Sequence, residues 1–400
     1  MRKPAATTII EFLYISALLN PMLHQARPIQ ENVRPGAERS GMYLSRLEGN
    51  NLGIVANQTS LTGKTHLVKS LGAMGNKRVR ICKLFSPEHG FMGQGEDAVP
   101  IEDDVDQKTG IPIISLYGRK RKPNAEDLAD LDLLLFDIQD VGIRFYTYIS
   151  TLFYVMQACA ERDLELLLLD RPNPNGFYVD GPVLEPGFSS FEGLHEVPVV
   201  YGMTIGEYAL MVNGEGWLGG GLACNLTVIP CDNYSHHSLY NLPVPPSPNL
   251  PTMNSIFLYP SVCFFEGTVI SEGRGTNSPF EVFGHPELQA GDYSFTPECI
   301  PGVDSHPKLV GKLCHGKDLR YLREAPTRQP GLNLSWLIHA YKNFPDRDNF
   351  FTPFFDKLAG TARLRQQIIE GLSEEEICTS WADDLASFKK VRSKYLIYPE

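Results

Sequence analysis

No two of the eight cysteines, at positions 82, 159, 224, 231, 263, 299, 314 and 378, stand in a Cys-x-x-Cys pair. That spacing argues against a zinc ribbon or a thioredoxin-like redox motif. In a chain of 400 residues such cysteines read as buried thiols rather than a disulfide framework. If any pair bridges, it is Cys224 with Cys231. Positive charge is also scarce: 36 Lys and Arg face 47 Asp and Glu, a net charge of -11. A chain with that balance does not hold nucleic acid or an anionic membrane by bulk charge. After the N-terminus no stretch reaches the roughly 18 uninterrupted apolar residues of a membrane span.

Several familiar motifs fail as well. LTGKT at 61–65 invites a phosphate-loop reading, but Gln58 stands where the first glycine of that loop must be. No G-x-G-x-x-G follows the first expected strand, so dinucleotide binding has no motif behind it. There is no His-Glu-x-x-His pair for a catalytic metal, and neither a metal nor a cofactor is expected.

What remains is a chain with 42% hydrophobic residues, enough for a large core and, at this length, for two domains. Residues 1–34 begin MRKPAATTIIEFLYISALL, a basic start followed by an apolar segment. This reads as a leader for periplasmic or secreted export. Glu11 interrupts the apolar part, which keeps a cytoplasmic location as the alternative.

From residue 52 two periods alternate. Apolar runs at 52–58, 80–85, 111–118, 132–138 and 164–170 read as strands. Segments 64–75, 124–131 and 144–163 read as helices, the second capped by Asn124. Continuous apolar strands separated by helices indicate a parallel sheet covered on both faces, a doubly wound α/β domain. Further on, Thr204 and Glu207 form a capping box for a helix over 204–217, and 225–231 reads as a strand. Beyond residue 282 the character changes. Helices are expected near 331–343, 361–371 and 373–390, in a smaller α+β domain over 282–400 after a first domain over 35–281.

Polar clusters follow four of the strands: Asn57-Gln58-Thr59, Ser86-Pro87-Glu88-His89-Gly90, Asp137-Ile138-Gln139-Asp140 and Asp170-Arg171-Pro172-Asn173. In open parallel sheets the carboxyl edge is the ligand crevice, so these loops converge on one site. Turn chemistry explains Pro87 and Gly90 but not the adjacent acid and base, Glu88 and His89. Segment 137–148 adds Arg144, Tyr146 and Tyr148, a cation and flat rings suited to a sugar face. Segment 271–276, SEGRGT, places Glu272 and Arg274 between glycines, where the backbone can approach a ligand closely.

FSPEHG, DIQDVGIRFYTYIST, DRPNP, PPSPN and EGTVISEGRGT occur in this order from residue 85 onward. Together they resemble the exo-β-N-acetylmuramidase (NamZ-type) glycoside hydrolase family. The resemblance implies a Rossmann-like domain, a smaller second domain and a site in the cleft between them. It implies an exo-acting glycosidase that releases N-acetylmuramic acid from the non-reducing end of peptidoglycan fragments during cell-wall turnover. It also makes the glutamate of SPEHG, Glu88, the catalytic residue, with His89 beside it. Glycoside hydrolysis ordinarily needs a second carboxyl; Glu272, Glu266 and Asp140 are the candidates. Arg144, Arg171 and Arg274 are the candidate cations for the substrate's lactyl carboxylate. Asn57, Asp137, Gln139, Tyr146, Tyr148, Asn173 and Asn249 complete the expected substrate-binding set. If Glu272 is the partner, its carboxyl lies about 5–10 Å from that of Glu88. Two other readings compete. A metal-dependent hydrolase would use Glu88, His89, Asp137 and Asp170 as ligands. A non-catalytic sugar-binding protein would keep the aromatics and arginines but would not need an acidic Glu88.

Overall fold

The computed structural model describes residues 33–75, 78–96, 99–289, 291–322 and 331–400. The expected leader lies, up to residue 32, outside the described residues. The sheet that organises the chain has seven strands: β1 (Asn51–Ala56), β2 (Arg80–Ser86), β3 (Asp104–Val105), β4 (Pro112–Ser115), β5 (Leu133–Asp137), β6 (Glu165–Leu169) and β7 (Leu226–Ile229). Their order is β7-β6-β5-β1-β2-β4-β3. Only the short edge strand β3 runs antiparallel, to β4. Without it the order is that of a doubly wound nucleotide-binding sheet, and the direction of winding reverses between β1 and β5. The sequence explains the layering. Every residue of LLLFD in β5 is buried, as are the last four of ELLLL in β6, because both faces are covered. Leu52, Ile54, Leu135 and Leu167 pack on one face, and Val55, Leu134, Phe136 and Leu168 on the other.

That second face continues without a break into the C-terminal part. Phe283, Phe355 and Leu358 belong to the same apolar cluster as Phe136, Ile149 and Phe264. The C-terminal part is built on a three-stranded antiparallel sheet, Val282–His285, Cys314–Asp318 and Tyr293–Phe295 in that order. Helices Ser335–Asn343, Phe354–Ala359, Arg363–Glu370, Glu374–Thr379 and Ala382–Arg392 follow. The result is a two-domain α/β molecule.

The helix expected over 64–75 is Leu67–Gly72, preceded by a short strand at Thr65–His66, and other elements differ as well. The helix placed at 144–163 is Tyr148–Ala160, because Ile143 is bridged to Val200 and Arg144 N–H donates to Val199 O at 2.8 Å. The C-terminal helix over 373–390 is two helices broken near Ser380 and Trp381. Helix Met253–Val262 was not expected, since it contains Pro260. Pro260 falls in the last turn, and a Thr252–Ser255 capping box starts the helix. All eight cysteines are free thiols, Cys224 and Cys231 included.

Candidate active site

β2 delivers its chain to the carboxyl edge at Ser86, and Pro87–Gly90 turns sharply there, with Gly90 N–H donating to Pro87 O at 3.0 Å. His89 is forced to φ 66° and Gly90 to φ 75°, a left-handed pair in which only the glycine is unstrained. The ring of His89 holds the turn: Nδ1 faces Gly95 O at 2.9 Å. A carbonyl only accepts, so Nδ1 carries a proton in this contact. Glu88 is 8% exposed, and its Oε2 accepts a hydrogen bond from Thr147 Oγ1 at 2.6 Å. Thr147 occupies the N-cap of helix Tyr148–Ala160 yet makes no side-chain cap. Its hydroxyl orients Glu88 instead.

Glu88 and His89 lie in a cleft whose empty space, open mouth included, is about 640 Å³. The first domain contributes Phe145, Tyr146, Thr147 and, from the loop 189–196, Glu192. The PPSPN segment contributes Ser247 and Asn249. Tyr259, Glu266, Arg274, Phe280, Phe354 and Leu358 also line the cleft, with the Tyr259 ring 5.4 Å from that of Phe145. Arg274 Nη2 donates to Glu266 Oε1 at 2.5 Å, and its guanidinium lies 5.3 Å from the Phe280 ring centre.

Several residues expected in the site have other work. Glu272 does not line the cleft. It is buried behind Arg274, with its carboxylate 2.8 Å from Lys308 Nζ. Lys308 also donates to Phe265 O at 2.7 Å and Ile270 O at 2.8 Å, so it pins the loop that carries both Glu266 and Glu272. Arg144, expected to meet a substrate carboxylate, is fully buried, and donates to the carbonyls of Pro182, Val197, Leu358 and Ala359 at 2.7–2.8 Å. Burial lowers its pKa to about 9, which leaves it charged at neutral pH. Arg171 is locked in a bidentate pair with Asp137 at 2.6 and 2.8 Å. Neither arginine reaches the cleft wall; both have been desolvated to hold the fold.

The remaining loop residues build the floor beneath the cleft. Asn57 Nδ2 donates to Tyr148 Oη at 3.0 Å, and Tyr148 donates to Pro246 O at 3.1 Å. Gln139 Nε2 donates to Asp140 O and Pro172 O, each at 2.7 Å. Asn173 Nδ2 donates to Met203 O at 2.8 Å. Its side chain fills the space a Cβ on Gly142 would need, 2.2 Å away. Asp140 accepts from Tyr201 Oη and, at 2.6 Å, from Gly142 N–H. Its carboxyl is pushed up to about 7 by burial. Asp170 accepts from Tyr398 Oη at 2.6 Å and Thr204 Oγ1 at 2.7 Å. With Asp137 and Asp170 turned to these partners, the mixed oxygen–nitrogen donor set of the metal-hydrolase reading does not assemble with Glu88 and His89.

Residues 52–254 match the family described as "Exo-beta-N-acetylmuramidase NamZ, N-terminal", and residues 257–398 match its C-terminal counterpart. The chain belongs to the NamZ family. A curated relative, "Peptidoglycan beta-N-acetylmuramidase NamZ" from Bacillus subtilis (strain 168), is 39% identical over 373 residues, 89% of each chain. Two crystal structures of DUF1343 family proteins from Bacteroides fragilis NCTC 9343 share the fold. One is 46% identical with a TM-score of 0.86, the other 27% identical with a TM-score of 0.72; each comparison covers 92% of this chain and 99% of the other.

Thr147 and Ser247 lie inside segments singled out by sequence, but nothing there marked them as cleft residues. Glu192, Tyr259, Phe280 and Lys308 carried no sequence signal. They reach the site or its loop from positions far along the chain, and only the fold brings them in.

Proposed function

We infer that this chain is an exo-acting β-N-acetylmuramidase that removes N-acetylmuramic acid from the non-reducing end of peptidoglycan fragments. The observation that carries the reading is Glu88: a carboxyl oriented by Thr147, in a cleft also lined by the Glu266–Arg274 pair. Glycoside hydrolysis asks for one carboxyl to protonate the leaving oxygen and a second, ionised one to act at the anomeric carbon, directly or through water. Glu88 is the general acid. Glu266 is the partner, since it lines the cleft while Glu272 and Asp140 lie behind it, and Arg274 keeps its charge in place. Arg274 is the one arginine among the described residues lining this cleft, which makes it the cation for the lactyl carboxylate. Tyr146, Tyr259 and Phe280 offer apolar surface to the sugar ring.

The test is turnover of 4-nitrophenyl β-N-acetylmuraminide against the corresponding N-acetylglucosaminide, which lacks the lactyl group. The muraminide is expected to be the better substrate by about 10²-fold or more in kcat/KM, the scale of leaving a site's polar group unpaired. Equal rates remove Arg274 from recognition of the lactyl group. Absence of turnover of either glycoside defeats the glycosidase reading.

A further inference from the structure

Asn249 is 3% exposed and lines the cleft, yet neither its Oδ1 nor its Nδ2 meets a hydrogen-bond partner among the described residues. A buried amide without partners is costly. Exchanging the two atoms would not help, because both are orphaned. Nor can the side chain easily turn inward to a partner. Pro245, Pro246 and Pro248 stiffen the segment. Gln58 Nε2 donates to Pro246 O at 3.0 Å, Tyr148 Oη donates to the same carbonyl at 3.1 Å, and Leu250 N–H donates to Ser247 O at 3.1 Å. The amide is thus held ready, one donor and one acceptor, beside apolar surface from Leu250, Tyr259 and Phe280, which line the same cleft.

We propose that Asn249 is the residue that reads the 2-acetamido substituent of the sugar, with Leu250, Tyr259 and Phe280 taking its methyl group. This rests on the glycosidase reading and deepens it. Among the polar groups of a terminal N-acetylmuramic acid, a carboxylate only accepts, and a hydroxyl carries no methyl. The acetamido group alone combines a donor, an acceptor and an apolar end. It therefore matches an orphaned amide set against an apolar wall. A ligand that fills the recess satisfies Asn249. A 2-amino sugar leaves it unsatisfied and brings an ammonium to an apolar wall.

The experiment compares 4-nitrophenyl β-N-acetylmuraminide with its 2-amino counterpart on the wild type, Asn249→Ala and Asn249→Asp. Asn249→Ala is expected to lose roughly 10- to 100-fold in kcat/KM on the acetylated glycoside, and to stay within about threefold of the wild type on the 2-amino one. Asn249→Asp, nearly the same shape, is expected to lose on the acetylated glycoside and gain on the 2-amino one, because its carboxylate pairs with the ammonium. Calorimetric binding of free N-acetylmuramic acid and of muramic acid to the same variants should follow the same pattern without turnover. An equal loss on both glycosides, or no loss on either, overturns the assignment. If Asn249→Ala does not fold, an unchanged preference in Asn249→Asp overturns it as well. A wild type that hydrolyses no such glycoside defeats the glycosidase reading itself, whatever the variants do.

Discussion

Thr147 shows how a single hydroxyl is diverted from structure to function. It sits where a helix cap belongs and makes no cap; its proton goes to Glu88. Glu88→Gln keeps that hydrogen bond, since the amide oxygen still accepts. The variant should therefore melt within a degree or two of the wild type while losing roughly 10²–10⁴-fold in rate on a nitrophenyl glycoside. The loss should shrink with a dinitrophenyl leaving group, which departs without protonation. A near-normal rate would remove Glu88 as the acid. The acidic partners separate in the same assay. Glu266→Gln should lower kcat with little change in stability. Glu272→Gln leaves the Lys308 ammonium without its carboxylate, and should cost stability of about 1–3 kcal/mol with a smaller effect on rate. Glu88 was legible in the sequence because an acid and a base stood where a turn needs neither. Arg144, Arg171 and Arg274 were not separable there. A guanidinium bound to a carboxylate, to four carbonyls or to a sugar acid has the same letter, and only burial and partners distinguish them.

At the scale of elements, the short helix Phe354–Ala359 sets part of the cleft wall through Phe354 and Leu358. Past its last turn Gly360 takes φ 73°, and the carbonyls of Leu358 and Ala359 accept from Arg144. The same guanidinium holds Pro182 and Val197, so one side chain ties this helix to the first domain. Gly360 is needed beside it, since a Cβ there would stand 2.7 Å from Arg144 Nη2. Arg144→Met removes the guanidinium from four buried carbonyls, of which Val197 O keeps a donor in Leu184 N–H at 3.1 Å, and should destabilise the fold by on the order of 3 kcal/mol. The wall would shift with it. In the fraction that stays folded KM should rise more than kcat falls, as steady-state kinetics below the melting range will show. Sequence periodicity found the parallel strands because they are buried on both faces and read as apolar runs. It missed helix Met253–Val262 because Pro260 signals a break, although in the last turn it is tolerated. It started helix Tyr148–Ala160 too early because a bridge to Val200, invisible locally, holds Ile143 extended.

At the scale of the whole molecule, the last helix and the residues after it are tied back to the first domain. After the last helix, Tyr398 Oη donates to Asp170 Oδ2 at 2.6 Å, Cys231 N–H donates to Tyr398 Oη at 2.8 Å, and Glu207 accepts from Ile397 N–H at 2.9 Å. Arg392 donates to Gly202 O at 2.9 and 2.6 Å. Tyr398 is thus bound to the carboxyl edge of the first sheet. Two buried carboxyls at that edge make stability depend on pH. Burial raises Asp140 to about 7 and Asp170 to about 6. Asp140 is the stronger case: its Oδ1 meets no partner, whereas hydrogen-bond donors to the Asp170 carboxylate, among them Tyr398 and Thr204, support its charged form. In the unfolded chain an aspartic acid ionises near 3.9. Between that value and about 7 the folded state binds more protons than the unfolded state, so stability falls as pH rises through this window. The penalty is complete above it. The thermal midpoint should therefore be higher near pH 5 than near pH 8 by a few degrees. Asp140→Asn, which removes the titrating group and can still accept from Tyr201 and Gly142, should flatten that slope. A midpoint that rises from pH 5 to pH 8, or an unchanged slope in Asp140→Asn, would show that Asp140 is already ionised in the fold at pH 5.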